Sequence, residues 1–215
     1  MLILELFAGS RSFSKVAEER GHSTFTTDIE AFTNIDYVID ILDFDINKVP
    51  FVPEVVWCSI PCETYSVASI SCHWTGGKGA YIPKTKRAIK GLEIAKKTMT
   101  IIEIYKQINP SLIWIIENPR GLLRKLDIIP NKYINTVTYC QYTRGNELPR
   151  MKPTDIWTNL KSWKPRKMCK NGDPCHISAP RGSRTGTQGL KSSYERSRIP
   201  AQLCLELLKT IEGIG

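Results

Sequence analysis

Strand-length apolar runs without polar alternation recur along this chain, and helical patterns separate them. Leu2–Phe7, Val55–Cys58 and Leu112–Ile116 are the clearest. A strand that is apolar on both sides must be covered on both sides, which argues for a mostly parallel sheet between helices. Ser23–Thr27 and Tyr37–Ile39 read as further strands, as do Asn135–Tyr139 and Thr154–Thr158. Phe13, Val16 and Ala17 have helical spacing, and Gly21 closes that helix. Thr85 to about Gln107 reads as a long helix stopped by Asn109-Pro110, and Pro200 to about Ile211 as a last one. Residues 66–86 have no period and read as a long loop. The fold class is α/β.

In such sheets ligands bind beyond the carboxyl ends of the strands. The chemistry-bearing residues of this sequence cluster at those ends. The run Val55-Val56-Trp57 leads to Pro61-Cys62, where proline stiffens the backbone just before a thiol. Polar Glu63-Thr64-Tyr65-Ser66 follows, so Cys62 reads as a strand-exit nucleophile rather than a buried small hydrophobe. Cys58, Cys140 and Cys204, in apolar stretches, take the buried reading. Leu112–Ile116 ends at Glu117-Asn118-Pro119. A carboxyl at the end of an Ile/Trp run is partly desolvated and inclined to hold a proton near neutrality.

Phe7-Ala8-Gly9-Ser10-Arg11-Ser12 is a small-residue turn between strand and helix, suited to close approach by a ligand. It lacks the three glycines of the dinucleotide fingerprint and the Gly-Lys-Ser/Thr of a phosphate loop. Asp28, with Ile29 beside it, ends the second strand and suits ribose hydroxyls, although Glu30 competes for that role and a turn-forming Asp is the bland alternative. Asp40-Ile41 offers a carboxylate and an apolar plate for an adenine ring.

The chain has 215 residues and a net charge of +9, with pI near 9.2. That is one α/β domain, and the excess charge fits a polyanionic partner. Met1 leads straight into an apolar strand with no basic start, so no signal peptide is expected, and no apolar run approaches membrane-spanning length. The odd count of seven cysteines, without secretory context, reads as reduced thiols in a cytoplasmic protein.

Phe7-Ala8-Gly9, Asp28, Asp40-Ile41, Pro61-Cys62 and Glu117-Asn118 occur in the order and rough spacing of the C5-cytosine DNA methyltransferases. The chain resembles their small phage-type members, from a phage or bacterial setting, over about residues 3–160, with a weaker echo in the last helix. The resemblance implies a Rossmann-like S-adenosylmethionine-dependent methyltransferase fold. It implies S-adenosylmethionine as cofactor, held by Phe7, Ala8, Gly9, Ser10, Ser12, Asp28, Ile29, Asp40, Ile41 and Pro61. It implies DNA as substrate. Cys62 would add to cytosine C6, Glu117 would hold N3, and C5 would then accept the methyl group. The loop 66–86 corresponds to the family's mobile catalytic loop. Arg150 matches the first arginine of the family's Gln-x-Arg-x-Arg pattern and would orient the substrate; Lys152 stands in place of the second, and Leu148 in place of the glutamine. Pro119 is a departure from the pattern.

The implied organisation is a catalytic core over 1–159, a basic loop or miniature recognition region over 160–192, and a helix over 193–215 that completes the core. The middle stretch carries Lys161, Lys164, Arg166, Lys167, Lys170, Arg181, Arg184 and Lys191, with Trp163 among them. A segment this short leaves sequence specificity low, or supplied by a partner or self-association. Two rivals remain: an enzyme of the same fold that methylates RNA cytosine or makes a variant one-carbon transfer, and a catalytically idle nucleic-acid-binding protein. Cys169, Cys175 and His176, with Cys140 as a fourth, are soft ligands that could clamp a zinc. Their spacing fits no standard finger, and the sequence alone assigns no metal.

Overall fold

A computed structural model describes residues 1–77, 80–145, 147, 149–177 and 192–213. The strands are β1 (Leu2–Leu6), β2 (Ser23–Asp28), β3 (Tyr37–Val38), β4 (Val55–Ser59), β5 (Trp74–Thr75), β6 (Ile82–Pro83), β7 (Ile113–Pro119), β8 (Ile134–Thr138) and β9 (Pro153–Thr158). The α-helices are α1 (Ser12–Glu19), α2 (Ile70–His73), α3 (Lys86–Ile108), α4 (Ser193–Ser197) and α5 (Ala201–Ile211). Seven strands form one sheet in the order β3-β2-β1-β4-β7-β9-β8. All pairings are parallel except those of β9, which runs against both β7 and β8. The sheet is α/β and mostly parallel, as the unalternating strands predict.

Period-two side-chain direction divides the core between the faces. Ile3, Val55, Trp57, Ile115 and Ile156 point to the side of α1 and α5, where Phe13, Val16, Leu203 and Leu207 cover them. Phe13 stacks on Trp57 with ring centroids 4.4 Å apart. Leu4, Leu6, Val56, Cys58 and Ile116 point to the other face and meet Ala95, Ile101, Ile102 and Tyr105 of α3. Each such side chain contributes about 1.5–3 kcal/mol by leaving water. α3 begins where the Thr85 hydroxyl accepts the Ala88 N–H and ends at Asn109.

The loop over 66–86 is more ordered than its aperiodic sequence predicts. It contains α2 and a two-stranded antiparallel ribbon of β5 and β6. Trp74 anchors it: the ring is buried against Tyr65, and its indole N–H donates to the Thr64 carbonyl at 2.8 Å. These elements are two to four residues long, too short to show a period. Lys78 of this loop lies outside the described residues.

Two features place the site. The chain crosses from β3 at one edge back to β4 beside β1, so the strand order reverses between β1 and β4; ligand crevices of doubly wound sheets open there. The reversal of β9 brings the residues that precede it, Arg150 and Lys152, to the edge where β4, β7 and β8 end.

Candidate active site

Cys62 begins a single helical turn after β4: the N–H groups of Tyr65 and Ser66 both donate to its carbonyl. The thiol is half-buried and Pro61 is exposed. Glu117 lies on the neighbouring strand, in register with Ser59, and is 4% exposed. Asn118 joins the two strand ends, its side-chain amide donating to the Ile60 carbonyl at 2.7 Å. Gly121 lets the chain after β7 touch the cysteine turn: the Leu122 N–H donates to the Tyr65 carbonyl at 2.8 Å. A Cβ at Gly121 would lie 2.2 Å from that oxygen.

The Glu117 carboxylate accepts a 2.7 Å hydrogen bond from the buried Tyr139 hydroxyl at the end of β8. The Lys152 ammonium is 4.0 Å from the same carboxylate and 4.9 Å from the Tyr139 ring centre. Burial raises the Cys62 thiol above its ordinary value; Lys152 pulls it back and Glu117 pushes it further up. Burial likewise lowers the Lys152 ammonium, while Glu117 and Cys62 act against that. Burial, then Glu117, holds the Tyr139 hydroxyl well above its ordinary value. Thiol, carboxylate, ammonium and phenol thus act on one another across a shielded edge of the sheet.

Arg150, expected to orient the substrate, is buried and otherwise engaged. Its guanidinium donates to the carbonyls of Glu195 (3.1 Å), Arg196 (3.2 Å) and Arg198, and stacks over Tyr139. It ties α4 to the wall behind the carboxylate. Lys152, considered in the sequence only as a replacement, is the cation that faces Glu117, because residues 150 and 152 project differently just before β9. Leu148 lies outside the described residues.

At the β1 end, Phe7, Gly9 and Arg11 all have positive φ (58°, 47° and 55°), so the turn is sharply coiled. The Gly9 N–H donates to Asp28 Oδ2 at 2.8 Å. Ser10 and Ser12 share a 2.8 Å hydroxyl contact, and Ser12 accepts the Ile199 N–H. A cavity of about 390 Å³ opens here, lined by Gly9, Ser10, Lys15, Phe32, Thr33, Asn34 and Tyr194. A larger one of about 590 Å³ runs past Ser10, Ser12, Lys15, Arg150 and Arg198. Ile29 is 56% exposed and Phe32 39% exposed at this edge. Ala8 is buried, with its N–H donating to the Thr27 carbonyl.

Two expected cofactor residues behave otherwise. Ile41 is 4% exposed and packs in the core with Leu4 and Phe44, so it presents no plate to a ligand. Asp40 caps the turn that follows it through the Leu42 N–H, and its other oxygen pairs with Lys90 at 2.8 Å. That ammonium holds the Asp40 carboxyl below its ordinary value.

Sequence reasoning did not single out Glu5, Phe32 or Tyr139. Glu5 lies within β1, buried, and its carboxylate accepts the Phe13 and Ser14 N–H groups at the start of α1. Desolvation pushes it up to about 7. A lone acid inside an otherwise apolar strand was its signal. Tyr139 closes a strand run, as Glu117 does. Phe32 sits in an aperiodic loop and carried no signal.

Trp163 is buried, as are Leu160, Cys169 and His176, so residues 160–177 form packed irregular chain rather than a free basic loop. Lys161, Lys164, Lys167 and Lys170 are exposed, whereas Arg166 pairs with Glu206 and stacks on Tyr142. Arg181, Arg184 and Lys191 lie outside the described residues. Among the described residues no helix is long and apolar enough to cross a membrane.

These features define a class: a doubly wound α/β sheet with one reversed strand and a thiol–carboxylate–ammonium cluster at its carboxyl edge. A scan against protein-family models finds no match. A curated relative, "Probable DNA (cytosine-5)-methyltransferase" of Frog virus 3, is 29% identical over 225 residues, covering 97% of this chain and 99% of that protein. Among solved structures, a mutant of Spodoptera frugiperda DNMT2 superposes on 77% of this chain with a TM-score of 0.42 and 17% identity. The aligned part spans 53% of that chain, about half its length. The similarity to that viral protein runs along nearly the whole length of this chain. The relative is from a virus named for frogs, and the phage origin expected from the sequence has no support.

Proposed function

We propose that this protein methylates C5 of cytosine in DNA, with Cys62 as nucleophile and S-adenosylmethionine as methyl donor. The observation that carries this reading is geometric: Cys62 follows β4, Glu117 ends the paired strand β7, and the Lys152 ammonium lies 4.0 Å from the Glu117 carboxylate. C5 of cytosine is a poor nucleophile until C6 is saturated, so a covalent route splits one hard step into easier ones. The Cys62 thiolate adds to C6. Glu117, in its acid form, gives N3 a proton as the thiolate adds, so the ring takes no net negative charge. Lys152 favours the thiolate before addition, and Tyr139 fixes the carboxylate that receives the base. After methylation a water or hydroxide takes the C5 proton, Cys62 leaves as the thiolate, and N3 returns its proton to Glu117. A base in duplex DNA must leave the stack to reach this edge.

The β1 edge suits the cofactor: a glycine turn, hydroxyls of Ser10 and Thr33, the amide of Asn34 and the exposed ring of Phe32 surround one cavity. When bound, S-adenosylmethionine supplies an electrophilic methyl group. Gly9 and Ser10 would hold its amino-acid end, Asp28 and Asn34 its ribose, and Phe32 and Ile29 its base. The exposed lysines of 160–177 supply phosphate contacts, in keeping with the net charge of +9.

Incubation with methyl-labelled S-adenosylmethionine and DNA or RNA tests the reading. Label should enter DNA, vanish with Cys62→Ser, and give way to a stable adduct on DNA containing 5-fluorocytosine. Label in RNA alone would replace DNA by RNA as substrate. DNA binding without transfer by either form would make this an idle relative.

A further inference from the structure

Residues 159–177 contain no helix or strand, yet Trp163, Cys169 and His176 in that stretch are buried. Apolar packing alone does not account for this arrangement, because three thiols and an imidazole converge in one place. Cys140, in the turn after β8, meets Cys169, Cys175 and His176, and their ligand-type atoms all lie within 4.8 Å of one another. The sulfurs of Cys140 and Cys169 are 3.1 Å apart, and those of Cys175 and Cys140 3.7 Å. His176 Nδ1 is 3.8 Å from Cys169 and 3.6 Å from Cys175. A tetrahedral zinc with bonds of about 2.3 Å to sulfur and 2.0 Å to nitrogen has edges of about 3.5–3.8 Å between its ligands. Three of the four measured separations fall in that range. The fourth is far longer than the roughly 2.05 Å of a disulfide bond, and all seven cysteines are free.

The surroundings fit a bound metal as well. The Gln141 amide points an N–H at Cys175 Sγ, 3.3 Å away, and the Cys169 N–H donates to Thr138 Oγ1, which fixes the chain at a ligand. A donor aimed at sulfur, and an acceptor that holds the ligand's own backbone N–H, are outer contacts that orient metal ligands. His176 Nε2 is buried with no hydrogen-bond partner, so the ring's polar contacts are with the sulfurs alone. Soft sulfur with imidazole, four closed ligands and tetrahedral spacing favour zinc over the iron that thiolate-rich sites also take.

We propose that Cys140, Cys169, Cys175 and His176 bind a structural zinc ion. Four protein ligands leave no position for water or substrate, so the metal holds chain and performs no chemistry. What it holds is specific. Cys140 follows Tyr139, whose hydroxyl orients Glu117, and the other ligands bracket the segment that bears Lys170. The ion would fasten the abbreviated region beyond β9 to the wall of the thiol–carboxylate cluster, in place of a larger recognition domain with its own core. The inference stands whether or not the protein transfers methyl groups.

The full-length protein, purified without chelator, should carry about one zinc per chain by elemental mass spectrometry. Cys140→Ser and Cys169→Ser should each lower that tenfold or more, whereas Cys72→Ser, at an exposed thiol outside the cluster, should leave it unchanged. Because a ligand variant can fail to fold, cobalt exchange into the unaltered chain gives an independent reading: it should produce the visible bands of tetrahedral thiolate coordination. In the metal-stripped chain, trypsin should cleave more readily after the lysines of 161–170. Metal-free protein with no cobalt spectrum would overturn the proposal. So would one equivalent of iron, or a Cys140–Cys169 disulfide found by peptide mass spectrometry.

Discussion

Lys152→Met tests the proposed active site most directly. The side chain lies 4.0 Å from the Glu117 carboxylate, and both groups are shielded from water. At an effective dielectric of about 20, that separation corresponds to a gross attraction of about 4 kcal/mol. Part of it is offset by the cost of burying the ammonium, the same cost that lowers its pKa. Methionine keeps the volume and removes the charge, leaving Glu117 buried with only the Tyr139 hydroxyl. Loss of one member of a buried pair destabilises by about 3 kcal/mol, seen as a lower urea midpoint at unchanged slope. The thiol changes too. Lys152 is the main group holding the Cys62 pKa down against burial, so its removal should move the thiol further up. Iodoacetamide labelling of Cys62, followed peptide by peptide against pH, should show its midpoint displaced to higher pH. Lys152→Arg, which keeps the charge, should recover most of that displacement. A variant with the original labelling midpoint and the original urea midpoint would refute the claim that this ammonium governs both thiol and carboxylate.

Gly121→Ala would place a methyl group 2.2 Å from the Tyr65 carbonyl oxygen, which is backbone and cannot rotate away. We expect a loss of about 1–3 kcal/mol in denaturant titrations and about a hundredfold slower methyl transfer, since the displaced turn carries Cys62; unchanged kinetics would show that the contact does not position the thiol. Glu5 gives a pH effect of definite sign. Its folded pKa, about 7, lies above the ordinary 4.5, so the folded state binds the extra proton and stability falls as pH rises from 4.5 through 7. The span corresponds to about 3 kcal/mol. Glu5→Gln should flatten that part of the stability–pH curve, and an unaltered slope would place its origin elsewhere. Transfer by the unaltered enzyme should rise toward alkaline pH as Cys62 ionises and fall again as Lys152 loses its proton; a rate that is flat across that range would argue against thiolate attack.

The order and type of the main elements were legible because the central strands β1, β4 and β7 are largely apolar on both faces and α1, α3 and α5 each bury one side. The reversal of β9 was not legible, since Thr154–Thr158 would read the same in either direction. That one fact brings both Arg150 and Lys152 to the edge; Arg150 is taken up by the carbonyls of Glu195, Arg196 and Arg198, and Lys152 faces Glu117. Cys62 and Glu117 stood out because each follows an apolar run with a polar turn. Ile41 misled for the same reason: position after a strand does not reveal whether a side chain turns outward to the edge or inward to α3. Three of the four soft ligands are close in sequence, and Cys140, 29 residues before Cys169, stood out as a possible fourth although its apolar setting also read as core. Only the pairing of β8 with β9 brings them together.

The last helix is stitched to the first. Ile199 donates to Ser12, while Arg20 (2.8 Å) and His22 (2.7 Å) both reach Glu212 beside α1. On the ribosome, the α1 face of the sheet therefore stays half uncovered until residues 199–211 emerge. Trp57 and Ile115 wait there until Leu203 and Leu207 follow. Nascent chains of this protein therefore carry an open apolar face from the emergence of the central strands until α5 follows, and no early helix or hairpin closes the domain without it.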